Sequence, residues 1–151
     1  MRKAADGVQN RGVARVVVDS EVLDTVTGSA TLDEIGTVLD RMWSVHPHVP
    51  DEVRAQVAIA VGEIGANIVE HASRAYPVRL RMEVLVSPAQ VHVAFLDDGP
   101  PAVVDLEAVP EMPDHTAERG RGLALAHAVL DRLWYHRNQF NHWILVSNRF
   151  A

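Results

Sequence analysis

The sequence predicts a single domain of mixed α/β (α+β) class, and three observations carry that reading. The chain has 151 residues, 48% hydrophobic and 23% charged, enough for one sizeable core. Two stretches before residue 75 place apolar residues at helical spacing. Two stretches after residue 77 alternate apolar with polar residues, as half-buried strands do.

Taken in order, residues 13–18 (VARVVV) and 21–27 are short and β-branched, which predicts strands. Thr31 and Glu34 have the spacing of a capping box. Ile35, Val38, Leu39, Met42 and Trp43 then recur at helical intervals until Pro47. A second helix is predicted from Pro50–Asp51 to about Arg74, with Val53, Val57, Val61, Ile64 and Ile68 as its buried stripe. Val78, Leu80, Met82, Val84 and Val86 alternate with polar residues, and after a turn at 87–90 a second alternating run reaches Leu96, which predicts an antiparallel hairpin. The stretch from Pro100 to Arg119 has four prolines, five acidic residues and little periodicity, so residues 101–119 are expected to form a mobile lid. Leu123, Ala126, Val129, Leu130 and Leu133 mark a further helix, and 134–136 with 143–146 a closing hairpin around RNQFN.

Composition narrows the function. The chain has no cysteine, which removes disulfides and thiolate metal sites, and no apolar run approaches the roughly 18 residues of a membrane span. Residues 1–12 are charged without a following apolar run and read as a flexible tail, leaving 13–151 as one domain with a cytoplasmic address. A net charge of −6 argues against non-specific nucleic-acid binding, which depends on neutralising phosphates. Lys3 is the only lysine, so neither a P-loop nor a protein-kinase strand lysine is possible. Any phosphate chemistry must rest on backbone N–H groups, arginines and a metal.

Three clusters carry chemistry. Glu63, Asn67, His71 and Arg74 fall on one face of the second helix, with Glu70 beside them. Asparagine is a poor helix former, and Gly62 and Gly65 each cost about 1 kcal/mol against alanine in a helix interior, so a close approach by ligand or neighbour is expected there. Asp97-Asp98-Gly99-Pro100-Pro101 stands where an apolar strand gives way to a long loop. Arg119-Gly120-Arg121-Gly122-Leu123 opens a helix, where free N–H groups and the helix dipole favour an anion. Each cluster alone is common on ordinary surfaces and turns; their order and spacing together are specific.

That order, Glu63-x-x-x-Asn67 with Glu70-His71-Ala72, then DDGPP, then GRGL, resembles the GHKL (Bergerat-fold) ATPase superfamily. EIGANIVEHA and RGRGLALAHAVLDRL most resemble its anti-sigma-factor serine kinases, over roughly residues 30–149. The resemblance implies a two-layer sandwich, helices on one face of a mixed, mostly antiparallel sheet, with ATP and Mg²⁺ as cofactors. Asn67 would ligate Mg²⁺ through its side-chain oxygen. Glu63 would act as general base on a serine hydroxyl. Asp97 would accept from the adenine amino group, with Gly99 letting the base approach. Gly120 and Gly122 would present N–H groups to the phosphates, Arg121 and Arg119 would offset their charge, and Leu123 continues that binding motif. The implied partners are a sigma factor and an anti-anti-sigma antagonist protein, and a homodimer is common in the family; no direct nucleic-acid or membrane contact is expected.

Two positions depart from the pattern. Pro101 stands where the family usually has a second glycine, which predicts a stiffer hinge. Asn141-His142 replaces a frequent Gly-Thr, which predicts loss of a hydroxyl near the adenine pocket. Both leave room for an alternative function: a catalytically degenerate nucleotide-binding module that sequesters a sigma factor or other regulator without phosphorylation. The eight histidines raise a metal-enzyme alternative, but none stands in an H-x-x-x-H or H-E-x-x-H spacing, and His46 and His48 flank the proline where a helix stops.

Overall fold

The computed structural model describes residues 19–72, 76–102 and 118–151. The expected tail at 1–12, the strand at 13–18, Arg74 and most of the expected lid lie outside them.

Among the described residues, five strands form one sheet in the order β1-β2-β3-β5-β4, where β1 is Asp19–Val26, β2 Arg79–Val86, β3 Val91–Asp97, β4 Arg132–Arg137 and β5 Asn141–Val146. Every pairing is antiparallel. Three helices, α1 (Thr31–Val45), α2 (Asp51–Asn67) and α3 (Glu118–Val129), complete an α+β fold. α1 lies over β1 and β2, α2 packs between α1 and α3, and α3 reaches β4.

Alternation decides which sheet face is covered. Leu80, Met82, Val84 and Val86 of β2, Val91, Val93 and Phe95 of β3, and Trp143 and Leu145 of β5 are all buried. They meet Ile35, Val38, Leu39 and Met42 of α1 and Val53, Val57, Ala60, Val61 and Ile64 of α2 in one core. Burying side chains of this size contributes about 1.5–3 kcal/mol each, and that term holds the two layers together. Gly65 is part of the seam: a side chain there would stand 3.0 Å from Ile35 Cδ1 and 3.4 Å from Leu32 Cδ2, so α1 is the close neighbour its thin backbone admits. No described atom lies within 4 Å of a side chain added at Gly62, and nothing described here explains that glycine.

Several local expectations are corrected. Thr31 does not close a capping box with Glu34: its buried hydroxyl accepts from the Gly28 N–H at 2.8 Å, and Glu34 Oε1 accepts from Thr25 Oγ1 at 3.2 Å, tying α1 to β1. The second helix does not run on in α geometry to Arg74. After Asn67 it widens into a π-helical turn over Ile68–Ala72, which shifts the phase of the face that Glu63 and Asn67 begin. The third helix starts at Glu118, so the RGRG cluster opens it as expected, with both glycines inside its first turns. It ends at Val129, and Leu133 belongs to β4. The expected strand at 21–27 is β1, beginning at Asp19.

Candidate functional site

Helix periodicity sets the first two groups. Glu63 and Asn67 are one turn apart on α2, both half-buried, and no side-chain hydrogen bond of either is found among the described residues. Helix α3 brings the third cluster against them. A side chain added at Gly122 would sit 2.5 Å from Glu63 Oε2 and 3.5 Å from its Cδ, so the glutamate carboxylate lies directly over the glycine's backbone. This proximity gives Gly122 a different part from the one its motif implies. As the fifth residue of α3 its N–H falls in the helical ladder, whereas the first-turn N–H groups of Glu118, Arg119 and Gly120 have no intrahelical partner and can meet an anion. Leu123 packs against the core. The side chains of Arg119 and Arg121 lie outside the described residues.

Gly122→Ala therefore separates stability from site geometry. The atom in the way is the tip of a flexible side chain, and alanine is the better helix former by about 0.8–1.0 kcal/mol. The expected result is an unchanged or slightly higher melting temperature with Glu63 pushed off its position, read by thermal melts beside a turnover assay. A loss of stability larger than the loss of turnover would mean that Gly122 serves packing alone.

The second cluster lies at the end of β3. Asp97, the last residue of β3, is 1% exposed. Its Oδ1 accepts from the Gly99 N–H at 2.9 Å and from Asn141 Nδ2 at 2.8 Å. Its Oδ2 is buried with no hydrogen-bond partner among the described residues. Burial raises the Asp97 pKa above the usual carboxylate value; the Asn141 and Gly99 hydrogen bonds oppose this, the neighbouring Asp98 adds to it, and the Arg137 charge opposes it. Asp98 turns the other way: its Oδ1 accepts from the Arg79 N–H at 2.8 Å, fastening the loop to β2. Of the two consecutive aspartates, only Asp97 offers a free acceptor to the interior.

The structure adds to the reading of the last strands. Asn141 carries no hydroxyl, but its amide supplies polar atoms at this strand end. It is 1% exposed and stands directly opposite Asp97 in the β3–β5 register and opposite Arg137 in the β4–β5 register. Besides holding Asp97, its Nδ2 donates to the Pro100 carbonyl at 2.8 Å, and its Oδ1 accepts from the Tyr135 hydroxyl and from Arg137 Nη1. Arg137 Nη1 also donates to the Gly99 carbonyl at 2.8 Å, and Tyr135 Oη accepts from the Ala102 N–H at 2.9 Å. The Gly99–Ala102 segment, including the proline expected to stiffen it, is thus moored to β4 and β5. Sequence reasoning missed Tyr135 and Arg137 and read Asn141 only as the loss of a hydroxyl; the signal was three polar residues flanking the turn of a closing hairpin.

A cleft of about 450 Å³ passes Asp97 and Asp98, but much of its lining, including Asp24, Val26, Arg79, Arg81 and Phe140, lies along the solvent side of the sheet, away from the helix-borne Glu63 and Asn67. The chemistry is defined by the residues on the helix side. Three groups remain there among the described residues: a carboxylate and an amide oxygen one turn apart, a helix opening whose first N–H groups have no intrahelical partner, and a buried lone acceptor. That set fits a nucleotide whose phosphates and metal lie by α2 and α3 and whose base reaches Asp97.

Residues 28–147 match the family described as the histidine kinase-like ATPase domain. The chain belongs to that family, a GHKL-type ATPase domain by its fold and its motif order. No match was found among curated proteins. Among the described residues, no helix is long and apolar enough to cross a membrane.

Proposed function

We propose that this protein is an ATP-dependent protein-serine kinase of the anti-sigma-factor type, phosphorylating a serine of an anti-anti-sigma antagonist and binding a sigma factor in its other partner state. The observation that carries the reading is the placement of the Glu63 carboxylate over Gly122, at the opening of α3 and one turn from Asn67. Bound ATP and Mg²⁺ supply the phosphoryl group and the positive charge that offsets it. Asn67 offers the hard oxygen that a magnesium ion accepts, and Asp97 Oδ2 is an acceptor for the 6-amino group of adenine. Glu63 stands where a serine hydroxyl could give up its proton, and the first-turn N–H groups of α3 hold the phosphates. Arg119 and Arg121 supply the cationic charge that lysine supplies elsewhere. The resemblance of the second helix and of RGRGLALAHAVLDRL to the anti-sigma kinases supports the choice of serine and of these partners.

Two measurements test this. Saturating MgADP should raise the melting temperature, since a ligand at a hundredfold excess over Kd stabilises by about 2.7 kcal/mol, on the order of 5–10 °C for a chain of this size. Asn67→Ala should remove the magnesium-dependent part of that rise. An unchanged melting temperature at millimolar nucleotide sinks the ATP site. Incubation with labelled ATP and each antagonist-type protein of the same genome, followed by mass spectrometry, should find phosphoserine. If ATP binds and no such protein is modified, the chain is instead a nucleotide-binding module that sequesters its regulator without phosphorylation.

A further inference from the structure

Resting on the nucleotide reading, the hydrogen-bond network at the β3, β4 and β5 strand ends carries a further assignment. An asparagine that is 1% exposed must satisfy both ends of its amide or pay for burial, and Asn141 satisfies both. Its orientation is dictated by its neighbours. The Oδ1 is surrounded by two donors, Tyr135 Oη and Arg137 Nη1, and the Nδ2 by acceptors, Asp97 Oδ1 and the Pro100 carbonyl, with the Gly99 carbonyl at 3.4 Å. The amide can therefore only donate to Asp97.

We propose that Asn141 is a positioning residue for the base pocket: by occupying Asp97 Oδ1 it leaves Oδ2 as an acceptor-only group, so the pocket takes a 6-amino purine and rejects a 6-oxo purine. The reasoning is donor and acceptor matching. A carboxylate oxygen attracts an exocyclic amino group and repels a carbonyl oxygen in the same place. Were Asp97 protonated, Oδ1 would still be engaged by Gly99 and Asn141, the proton would sit on Oδ2, and the preference would invert. Asn141 and the Gly99 N–H hold the carboxylate in its charged form against its burial, and Arg137 helps by its charge while also keeping the Asn141 amide turned the right way. Among the described residues, the charged and titratable groups acting here are Asp98 from the loop, Arg137 from β4 and His142 from β5.

The test uses the full-length chain with ADP and IDP, which differ at position 6 of the base. The wild type should bind ADP more tightly than IDP, and Asn141→Ala should reduce that ratio by on the order of tenfold, through loss of one hydrogen bond to a charged group. The Asp97 carboxyl, followed by ¹³C NMR without nucleotide, should titrate at higher pH in Asn141→Ala than in the wild type, and ADP affinity should fail at correspondingly higher pH on acidification. Asn141→Ser, which keeps a hydroxyl donor, should recover part of the ratio and of the titration shift, and is read alone if the alanine variant does not fold. A ratio and an Asp97 titration that both stay at wild-type values, whatever happens to the melting temperature, overturn the proposal and leave the nucleotide reading standing. A wild type that binds neither ADP nor IDP overturns both.

Discussion

Asp97→Asn is expected to abolish detectable binding of adenine nucleotides and to raise the melting temperature of the nucleotide-free protein. The two effects have one origin. The Asp97 carboxylate is buried with Oδ2 unpartnered, so the folded chain carries an ionised group whose solvation is only partly replaced. Asparagine is isosteric: its Oδ1 can keep the Gly99 and Asn141 hydrogen bonds, while an uncharged NH₂ takes the place of the orphaned oxygen. That NH₂ is a donor facing the donor on adenine. Losing a hydrogen bond to a charged group costs about 1.5–3 kcal/mol, roughly ten- to a hundredfold in affinity, before donor–donor repulsion is counted.

The pH dependence follows from the direction of the shift. Because the folded-state pKa of Asp97 is raised above its ordinary value of 3.8, the native chain holds this proton more tightly than the unfolded chain. The contribution of Asp97 to stability is therefore fully present below pH 3.8 and is lost as pH rises through the folded pKa. The stability difference between Asp97→Asn and wild type should widen from acid towards neutral pH and then level off. Urea melts across that range measure it. A variant less stable than wild type at neutral pH would mean that the charge is held by something stronger than its two hydrogen bonds.

How much of this could be read from the chain depended on whether the determining contacts were local. The buried faces of α1, α2, β2 and β3 were legible because a single periodicity governs each: Val53, Val57, Val61 and Ile64 repeat at helical spacing, and Leu80 to Val86 alternate. The end of α3 was not, since apolar spacing runs on to Leu133, which belongs to β4. At its start Gly120 and Gly122 are weak helix formers, but packing against α2 outweighs about 1 kcal/mol of propensity per glycine. The π-helical turn after Asn67 escaped for a related reason, since it leaves the apolar spacing almost intact while rotating the residues that follow.

The site was legible in the same uneven way. Glu63 and Asn67 are tied by one helical turn, and Asp97 by its place at a strand end, so all three could be named without knowing the sheet. The Asn141 network needed the register of β3 with β5 and of β5 with β4, which no local pattern contains. Seen as a departure from Gly-Thr, Asn141 reads as a loss. Seen across the register, it is the donor that fixes Asp97.

Glu63→Gln is expected to lower phosphoryl transfer by about 10²–10⁴-fold, the usual contribution of a positioned general base, while leaving the Kd for MgADP within a few-fold of wild type. The substitution preserves the length and shape of the side chain, so the fit over Gly122 and the helix packing remain. What disappears is the carboxylate proposed to accept the hydroxyl proton, whether the acceptor of the phosphoryl group is water or a serine. In the proposed reading nucleotide affinity is borne by other groups, Asp97 for the base, Asn67 for the metal and the α3 opening for the phosphates, so binding and transfer should part in this variant. Single-turnover transfer from labelled ATP, beside calorimetric binding, checks both halves. Equal losses of binding and transfer would place Glu63 among the groups that merely hold the nucleotide. Transfer retained to within tenfold would move the proton acceptor elsewhere, and Gly122→Ala discriminates further, because it displaces the same carboxylate without changing its charge.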